Sequence, residues 1–405
     1  MPDLFFLPAA PLPPNQIIWF GVLLLAGVIV GEIARRVLFL PRITGYAAAG
    51  LALGPEGFAL IDKTLLHELR PFADISIGII LFELGHRIDL RWLKRSPRLA
   101  LTSLAECALG AGLVYFTLRY FFALDVLHAS AAAAIAVATS PAVVMRITAD
   151  LGAEGQVTER ALLLTALNCS IAVLALTALI PWLYLEYRGG WTILLHPMYL
   201  LAGSFALGLA ASATTLALLK WLGKREEIQA VLLIALILAT IGAAIALKLS
   251  VLLALLAYGA LVRNLDKHYR LAAPDFGLTG QIFFLILFVL AGASLDLHAA
   301  RSGIVIGASL VAVRFAGKAL GILAFVPGGG IQVRQGLLLA LALTPMSGLA
   351  VIMLQDTQSL FPEFGRTLAS VVLPAVVLLE ITGPILTQLA FKLAGETRPQ
   401  PAAKS

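Results

Sequence analysis

The sequence predicts an all-α polytopic membrane protein of about 13 transmembrane helices, arranged as an inverted repeat. Three observations lead to this fold class. Hydrophobic residues make up 60% of the 405 and charged residues only 13%, whereas a soluble domain carries about 25% charged residues. The mean hydropathy is +0.95, and long apolar stretches follow one another with short loops between them. Two of these stretches are interrupted by the same kind of proline-containing segment.

A helix that crosses the hydrocarbon core needs about 20 mostly apolar residues. The shortest gap between stretches of this kind is at Lys248. The predicted spans are 16–38, 42–61, 70–88, 98–122, 127–149, 160–186, 193–219, 228–247, 249–264, 276–296, 302–326, 332–354 and 366–392. The transmembrane domain is therefore expected over 16–392, after a short segment 1–15 without a cleavable signal and before a polar tail, 393–405.

The positive charges predict the orientation of these spans. With the N-terminus outside, the inner loops and tail hold twenty of the 29 Lys and Arg residues, and the outer loops hold seven. Cytoplasmic loops carry such an excess. We therefore expect the N-terminus outside and the C-terminus in the cytoplasm, in a bacterial inner membrane. The net charge of +6 belongs to these loops, so we expect no nucleic-acid partner.

The fifth span is interrupted at Thr139-Ser140-Pro141 and the twelfth at Thr344-Pro345-Met346-Ser347-Gly348, and the two prolines are 204 positions apart. A proline inside a membrane helix leaves a carbonyl without its partner, and lipid cannot satisfy that group. Matched breaks in two halves of a chain indicate the binding site of a transporter. The polar residues of the breaks are therefore candidate ion-binding residues, namely Thr139, Ser140, Thr344 and Ser347.

A second pair of segments supports an internal repeat. The third span ends near Phe82 and is followed by Asp89, whereas the tenth ends near Phe288 and is followed by Asp296, 207 residues after Asp89. The paired spans are seven apart, and an odd number reverses their direction across the membrane. This predicts an inverted repeat of spans 1–6 (about 16–186) and 8–13 (about 228–392), with the seventh as a connector.

Charged side chains in the middle of predicted spans are costly, so they are candidates for function. On the eleventh span, Arg314 and Lys318 lie beside a glycine-lined face, which is typical of close helix packing. Glu106 lies on the fourth span, the repeat equivalent, so Glu106–Arg314 and Glu106–Lys318 ion pairs are both possible. We interpret Arg314 as structural, and Lys318 as either structural or a competitor of a transported cation.

Two carboxylates could carry a proton in this region. Glu106 is interpreted as a structural partner or a proton carrier, because a paired buried charge can serve either role. Glu380 lies in the middle of the thirteenth span, before Gly383 and Pro384. Its depth leaves open whether it titrates.

Metal and cofactor chemistry have no pattern in the sequence. The two cysteines, Cys107 and Cys169, both lie in apolar spans, and their spacing matches no metal-binding motif. The glycines at 328–330 lack the Lys-Ser/Thr of a phosphate-binding loop. We therefore expect no metal, no cofactor and no enzymatic activity.

Three motifs and the first break together resemble the sodium/hydrogen exchanger family of the monovalent cation:proton antiporter superfamily. The motifs are Ile43-Thr44-Gly45-Tyr46 with Gly50 and Gly54-Pro55, then Leu81 through Leu90, and Phe288 through Leu297. The resemblance is closest to the bacterial potassium-efflux and sodium–proton antiporter branch without a regulatory domain. It implies exchange of Na⁺ or K⁺ for protons by an elevator movement. In that movement, a core around the crossed fifth and twelfth helices shifts within the lipid bilayer against a scaffold that forms a homodimer.

The sixth helix departs from the family pattern. The family presents an aspartate there, whereas this chain reads Leu167-Asn168-Cys169-Ser170. Either Cys169 or Ser170 occupies the aspartate position, and neither is a carboxylate. Asn168 can coordinate a cation through its carbonyl oxygen but carries no proton near neutral pH.

If exchange persists, the proton must be carried by Glu380, Glu106 or Lys318. Two alternatives remain open from the sequence. The site could move another solute, such as an anion or a weak acid, without cation coupling, since Arg314 and Lys318 suit an anion. The chain could instead be a transport-inactive sensor.

Overall fold

A computed structural model describes residues 16–95, 97–187, 192–222, 226–266, 271, 276–295, 297, 301, 303–327, 330–346 and 348–398. Ser347 and Asp296, which the sequence analysis singled out, lie outside the described residues. The α-helices of the described part are α1 (Gln16–Arg36), α2 (Arg42–Leu53), α3 (Lys63–His86), α4 (Leu90–Arg95), α5 (Pro97–Phe116), α6 (Val126–Val137), α7 (Pro141–Leu151), α8 (Gln156–Tyr187), α9 (Thr192–Leu222), α10 (Glu226–Ala246), α11 (Val251–Leu265), α12 (Gly277–Ala293), α13 (Ile304–Ala324), α14 (Val333–Ala342), α15 (Gly348–Leu360) and α16 (Pro362–Ala394).

The all-α fold class is confirmed, and every predicted span contains a helix or a broken pair of helices. Eight spans in the described part are long and apolar enough to cross a membrane, so the count of 13 crossings stays a prediction. The second span, predicted over 42–61, was too long, because α2 ends at Leu53. Gly54 there is extended, with ψ of −178°, as the steric bulk of the following Pro55 favours.

The two broken helices meet at their breaks. Helix α6 is followed by α7 after a gap at 138–140, and α14 by α15 after a gap at 343–347. The backbone N–H of Ser140 donates to the carbonyl of Pro345 at 2.8 Å, and the Thr139 hydroxyl donates to the carbonyl of Leu343 at 3.4 Å. Each break therefore satisfies part of the other's backbone.

Other contacts also join positions about 207 residues apart. The Ser76 hydroxyl of α3 donates to the Phe283 carbonyl of α12 at 2.8 Å. Gly110 of α5 lies directly against Gly317 of α13, where an added Cβ on Gly317 would come within 2.6 Å of the Gly110 Cα. Contacts between equivalent positions are expected along the axis that relates two inverted repeats, so they agree with the predicted repeat.

Helices α5 and α13 form the closest of these contacts, which we name the glycine seam (Gly110, Gly317 and Gly321). A Cβ on Gly321 would overlap the backbone of Glu106. Small residues allow the backbones of membrane helices to approach in this way. The seam fixes the opposing side chains of α5 and α13 at short range.

Candidate functional site

Arg314 lies at the centre of the crossing. It is 1% exposed, and its guanidinium donates to the carbonyls that end the first half of each broken helix. Nε donates to Ala136 O at 2.6 Å and Nη2 to Ala138 O at 2.8 Å. On the other break, Nη1 donates to Thr344 O at 2.7 Å and Nη2 to Leu343 O at 3.4 Å.

These bonds explain how an arginine is held so deep in the protein. The last carbonyls of a helix lack partners and carry the negative end of its dipole. Helices α6 and α14 both end at the crossing, so their C-termini together favour a buried cation. From the sequence, Arg314 was expected to play a structural role through an ion pair. Its hydrogen bonds run to backbone carbonyls instead.

Glu106 and Lys318 form a buried ion pair one turn along the seam. Lys318 Nζ lies 2.9 Å from Glu106 Oε2, and the two side chains are 1% and 0% exposed. Of the two pairings considered from sequence, the structure contains the one with Lys318. The ammonium also donates to the Thr139 hydroxyl at 3.3 Å. The ion pair therefore reaches the first helix break.

Thr139 links this ion pair to α8. Asn168 Nδ2 donates to the Thr139 hydroxyl at 3.2 Å, and Cys169 Sγ donates to the Thr139 carbonyl at 3.1 Å. Cys107 Sγ donates to Asn168 Oδ1, also at 3.1 Å. Thr139, Asn168 and Cys169 are 0% exposed and Cys107 is 3% exposed. The chain of contacts therefore lies wholly inside the protein.

The remaining candidates lie at the edge of this cluster. Ser140 caps the start of α7 by accepting from Val143 N. The hydroxyls of Ser170 and Thr344 donate to carbonyls of their own segments, at Ala166 and Leu341. Ser347 is outside the described residues.

Glu380 is 3% exposed on α16. It lies three residues before Gly383, which packs against Pro345. This places Glu380 beside the second break, whereas Glu106 belongs to the first.

Three buried side-chain oxygens on α5 and α8 have no hydrogen-bond partner among the described residues. They are Glu106 Oε1, Ser103 Oγ and Thr165 Oγ1. Ser103 lies one turn before Glu106 on α5, and Thr165 lies three residues before Asn168 on α8. Buried polar atoms are nearly always satisfied by protein, water or a bound ion. These oxygens are therefore suited to water or a cation.

A cavity of about 280 Å³ lies between α3, α7 and α12. It opens on the face predicted to be cytoplasmic and runs along α7 as far as Met145, one turn from Pro141. Its polar lining includes Glu83, Arg146 and Gln281. The cavity thus approaches the crossing from one side of the molecule.

Two parts of this site were not predicted from the sequence. Cys107 was described only as a residue of an apolar span, although its position next to Glu106 was a signal. The acceptors Ala136 O and Ala138 O could not be found from sequence, because a backbone carbonyl leaves no residue-type signature.

Comparison with known proteins agrees with this architecture. Residues 21–392 match the transmembrane sodium/hydrogen exchanger family. A Na⁺/H⁺ antiporter of Synechocystis, NhaS5, is 33% identical over 87 residues, which are 22% of this chain and 12% of that protein. The match therefore spans only a small part of that relative's length.

Solved structures share the fold at low sequence identity. The sodium proton antiporter MjNhaP1 from Methanocaldococcus jannaschii at pH 8 has a TM-score of 0.63 and 19% identity, over 93% of this chain and 95% of the other. An electron microscopy map of MjNhaP1 gives a TM-score of 0.69 and 17% identity, over 95% and 99%. Because the family match covers most of its length, this integral membrane chain belongs to the sodium/hydrogen exchanger family, which consists of secondary transporters and not of enzymes.

Proposed function

We propose that this chain exchanges a monovalent cation, Na⁺ or K⁺, for protons across a membrane by an elevator movement. The observation that carries the proposal is the buried Glu106–Lys318 ion pair at the first helix break. It provides a carboxylate at the crossing although α8 has none at Asn168, Cys169 or Ser170. Glu106 on α5 thus takes the part of the aspartate that the family resemblance placed on α8.

The ion pair can couple the two fluxes through competition for one carboxylate. Without a cation, the Lys318 ammonium neutralises Glu106. A cation that reaches Glu106 Oε1 introduces a second positive charge into a site that is buried in the protein. Uncompensated charge is very costly there, so Lys318 Nζ releases its proton. When the cation leaves, Lys318 takes up a proton again.

Hydroxyl oxygens on α5 and α8 could complete the coordination of Na⁺ or K⁺. Ser103 Oγ and Thr165 Oγ1 are buried on the two helices that carry Glu106 and Asn168. Hard cations prefer carboxylate, hydroxyl and carbonyl oxygens over other ligands. These side chains would replace part of the water shell of the ion.

An anion site is less well supported. Arg314 makes four hydrogen bonds to carbonyls, and Lys318 is paired with Glu106. An anion would have to displace these acceptors. A cation, in contrast, could bind Glu106 while Arg314 keeps its hydrogen bonds to the carbonyls.

The cavity between α3, α7 and α12 supports access from one side in this conformation. With the N-terminus outside, this side is the cytoplasm of a bacterial cell. In an elevator movement, the crossing, α5, α8 and α13 would shift together and open to the other side. We also propose a homodimer, which size-exclusion chromatography with light scattering would test.

The proposal predicts ΔpH dissipation when Na⁺, K⁺ or Li⁺ is added to everted vesicles or proteoliposomes that contain the protein. Glu106→Gln should reduce the response at least about 100-fold, because a neutral amide neither neutralises Lys318 nor replaces a buried charge. Glu380→Gln is the matched control and should retain most of the response. The proposal would be contradicted if the wild type showed no response to any of the three cations over a wide pH range. A response of wild-type size in Glu106→Gln would show that Glu106 does not couple the cation flux to the proton flux.

A further inference from the structure

A small cavity lies where the ends of α1, α7 and α16 meet the start of α2, on the face predicted to be cytoplasmic. Its volume is about 80 Å³, and it shares no lining residue with the larger cavity between α3, α7 and α12. About 10–15 Å³ is enough for one water molecule, so the cavity has room for a group of the size of a phosphate. We name it the basic cavity, after its polar lining of Arg35, Arg42, Asp150, Gln388 and Lys392.

Positive charge is in excess around the basic cavity. The carboxylate of Glu32 is shared by three guanidinium groups of α1 and α2, and that of Asp150 by two, on α2 and α7. Lys392 is exposed and makes no ion pair among the described residues. Two carboxylates therefore stand against five cations, which leaves an excess of three positive charges. The five cations are Arg35, Arg36, Arg42, Arg146 and Lys392.

Exposed apolar side chains adjoin these cations. Phe39 lines the basic cavity and is 76% exposed, and Leu38 before it is exposed as well. On α16, Leu389 and Leu393 are exposed on either side of Lys392 in sequence. Near the ends of membrane helices, apolar side chains contact the hydrocarbon while Lys and Arg reach the headgroups. The basic cavity therefore lies at the level where a lipid phosphate meets its acyl chains.

We propose that the basic cavity binds the phosphate of an anionic phospholipid, whose acyl chains lie against Phe39 and Leu393. Cationic pockets between membrane helices on the cytoplasmic side are suited to such headgroups. The guanidinium groups of Arg35 and Arg42 can donate to phosphate oxygens, and the Lys392 ammonium adds a point charge. A soluble anion would use the cations but leave the apolar rim uncovered. The combination of both surfaces favours a lipid.

A lipid bound in this way would join helices from both ends of the chain. The basic cavity combines Arg35 of α1 and Arg42 of α2 with Lys392 of α16. These parts are already linked by Gln388, whose Nε2 atom donates to the carbonyl of Phe39 at 3.1 Å. A ligand that binds the folded protein and not the unfolded chain stabilises the folded state. Bound lipid should therefore raise the melting temperature.

Thermal unfolding of the purified protein in an uncharged detergent tests the inference, and it needs no transport. Short-chain phosphatidylglycerol should raise the melting temperature of the wild type to a plateau. Phosphatidylcholine of the same chain length and inorganic phosphate should leave it unchanged. Lys392→Gln should raise the half-saturating concentration of phosphatidylglycerol about fivefold, and Lys392→Glu should abolish the shift. Lys220→Gln is the matched control, because Lys220 is an exposed lysine near the end of α9 and does not line the basic cavity.

Three results would overturn the lipid site. The first is an equal shift of the wild-type melting temperature by phosphatidylglycerol and phosphatidylcholine, which would show that the anionic headgroup is not recognised. The second is a full shift by inorganic phosphate alone, which would assign the cavity to a soluble anion. The third is an equal response of Lys392→Gln and Lys220→Gln. The wild-type comparison of the two lipids decides the matter even if a variant fails to fold.

Discussion

The two helix breaks are related by the repeat, but their chemistry differs. At the first break, side chains converge on Thr139, whose hydroxyl accepts from Lys318 and Asn168 and donates to Leu343 O. At the second break, the Thr344 hydroxyl donates to Leu341 O of its own segment. The carbonyls of Thr344 and Leu343 instead face Arg314.

This difference separates the groups that hold the two breaks together from the groups that can ionise. Arg314 holds both breaks together through carbonyls, which do not titrate. The buried ion pair of Glu106 and Lys318 contacts the first break through the Thr139 hydroxyl. The two breaks therefore differ in what they present to the crossing, since the first adds a polar side chain at Thr139 and the second mainly backbone carbonyls.

Removal of Arg314 should have the largest effect, because both breaks depend on it. Arg314→Met leaves four carbonyls and two helix C-termini without a cation, and we expect a loss of about 3–5 kcal/mol in stability. Thermal unfolding in detergent measures this loss. Arg314→Lys keeps the positive charge but has fewer hydrogen-bond donors. Its stability should therefore lie between that of the wild type and that of Arg314→Met. A wild-type melting temperature in Arg314→Met would show that Arg314 does not hold the breaks.

The glycine seam should give the next largest effect. An alanine at Gly321 overlaps the backbone of Glu106, and overpacking of this kind costs about 1–3 kcal/mol. It also pushes Lys318 away from Glu106. Gly110→Ala is the matched control, since its new Cβ would meet Lys318 Cγ at an ordinary 3.4 Å. Equal stability and exchange in both variants would mean that the seam does not set the ion-pair distance.

The two threonines compare the breaks directly, with the smallest expected effect. Thr139→Val removes the acceptor of Lys318 and Asn168, and we expect exchange to fall about tenfold, because a hydrogen bond to a charged group contributes about 1.5–3 kcal/mol. Thr344→Val removes only a bond within its own segment and should change exchange less than about twofold. The initial rate of ΔpH dissipation measures both. Equal losses would remove the distinction between the breaks.

Much of the fold could be predicted from sequence, because its signals are local. Pro141 and Pro345 mark the breaks, and apolar length marks the spans. The end of α2 at Leu53 was misplaced, since apolar residues continue beyond Gly54 and Pro55. The partners of Arg314 were out of reach, because they are carbonyls of Ala136 and other residues whose side chains carry no signal.

The residues of the site were predicted from the sequence more fully than the contacts between them. Glu106, Lys318, Asn168 and Thr139 were all named as candidates, and the structure brings them together. Which cation pairs with Glu106 depends on the register of α5 against α13. That register is set by glycine contacts across more than 200 residues of chain, which a single sequence does not reveal.

The glycine seam has a consequence for motion. Because the backbones of α5 and α13 are in contact at Gly110 and Gly317, these two helices cannot slide or tilt independently. In the proposed elevator movement, α5 and α13 would therefore carry Glu106 and Lys318 together as one unit. A bound cation would then move inside a group of helices that keeps its internal geometry. Only the contacts of this group with α3 and α12 would change.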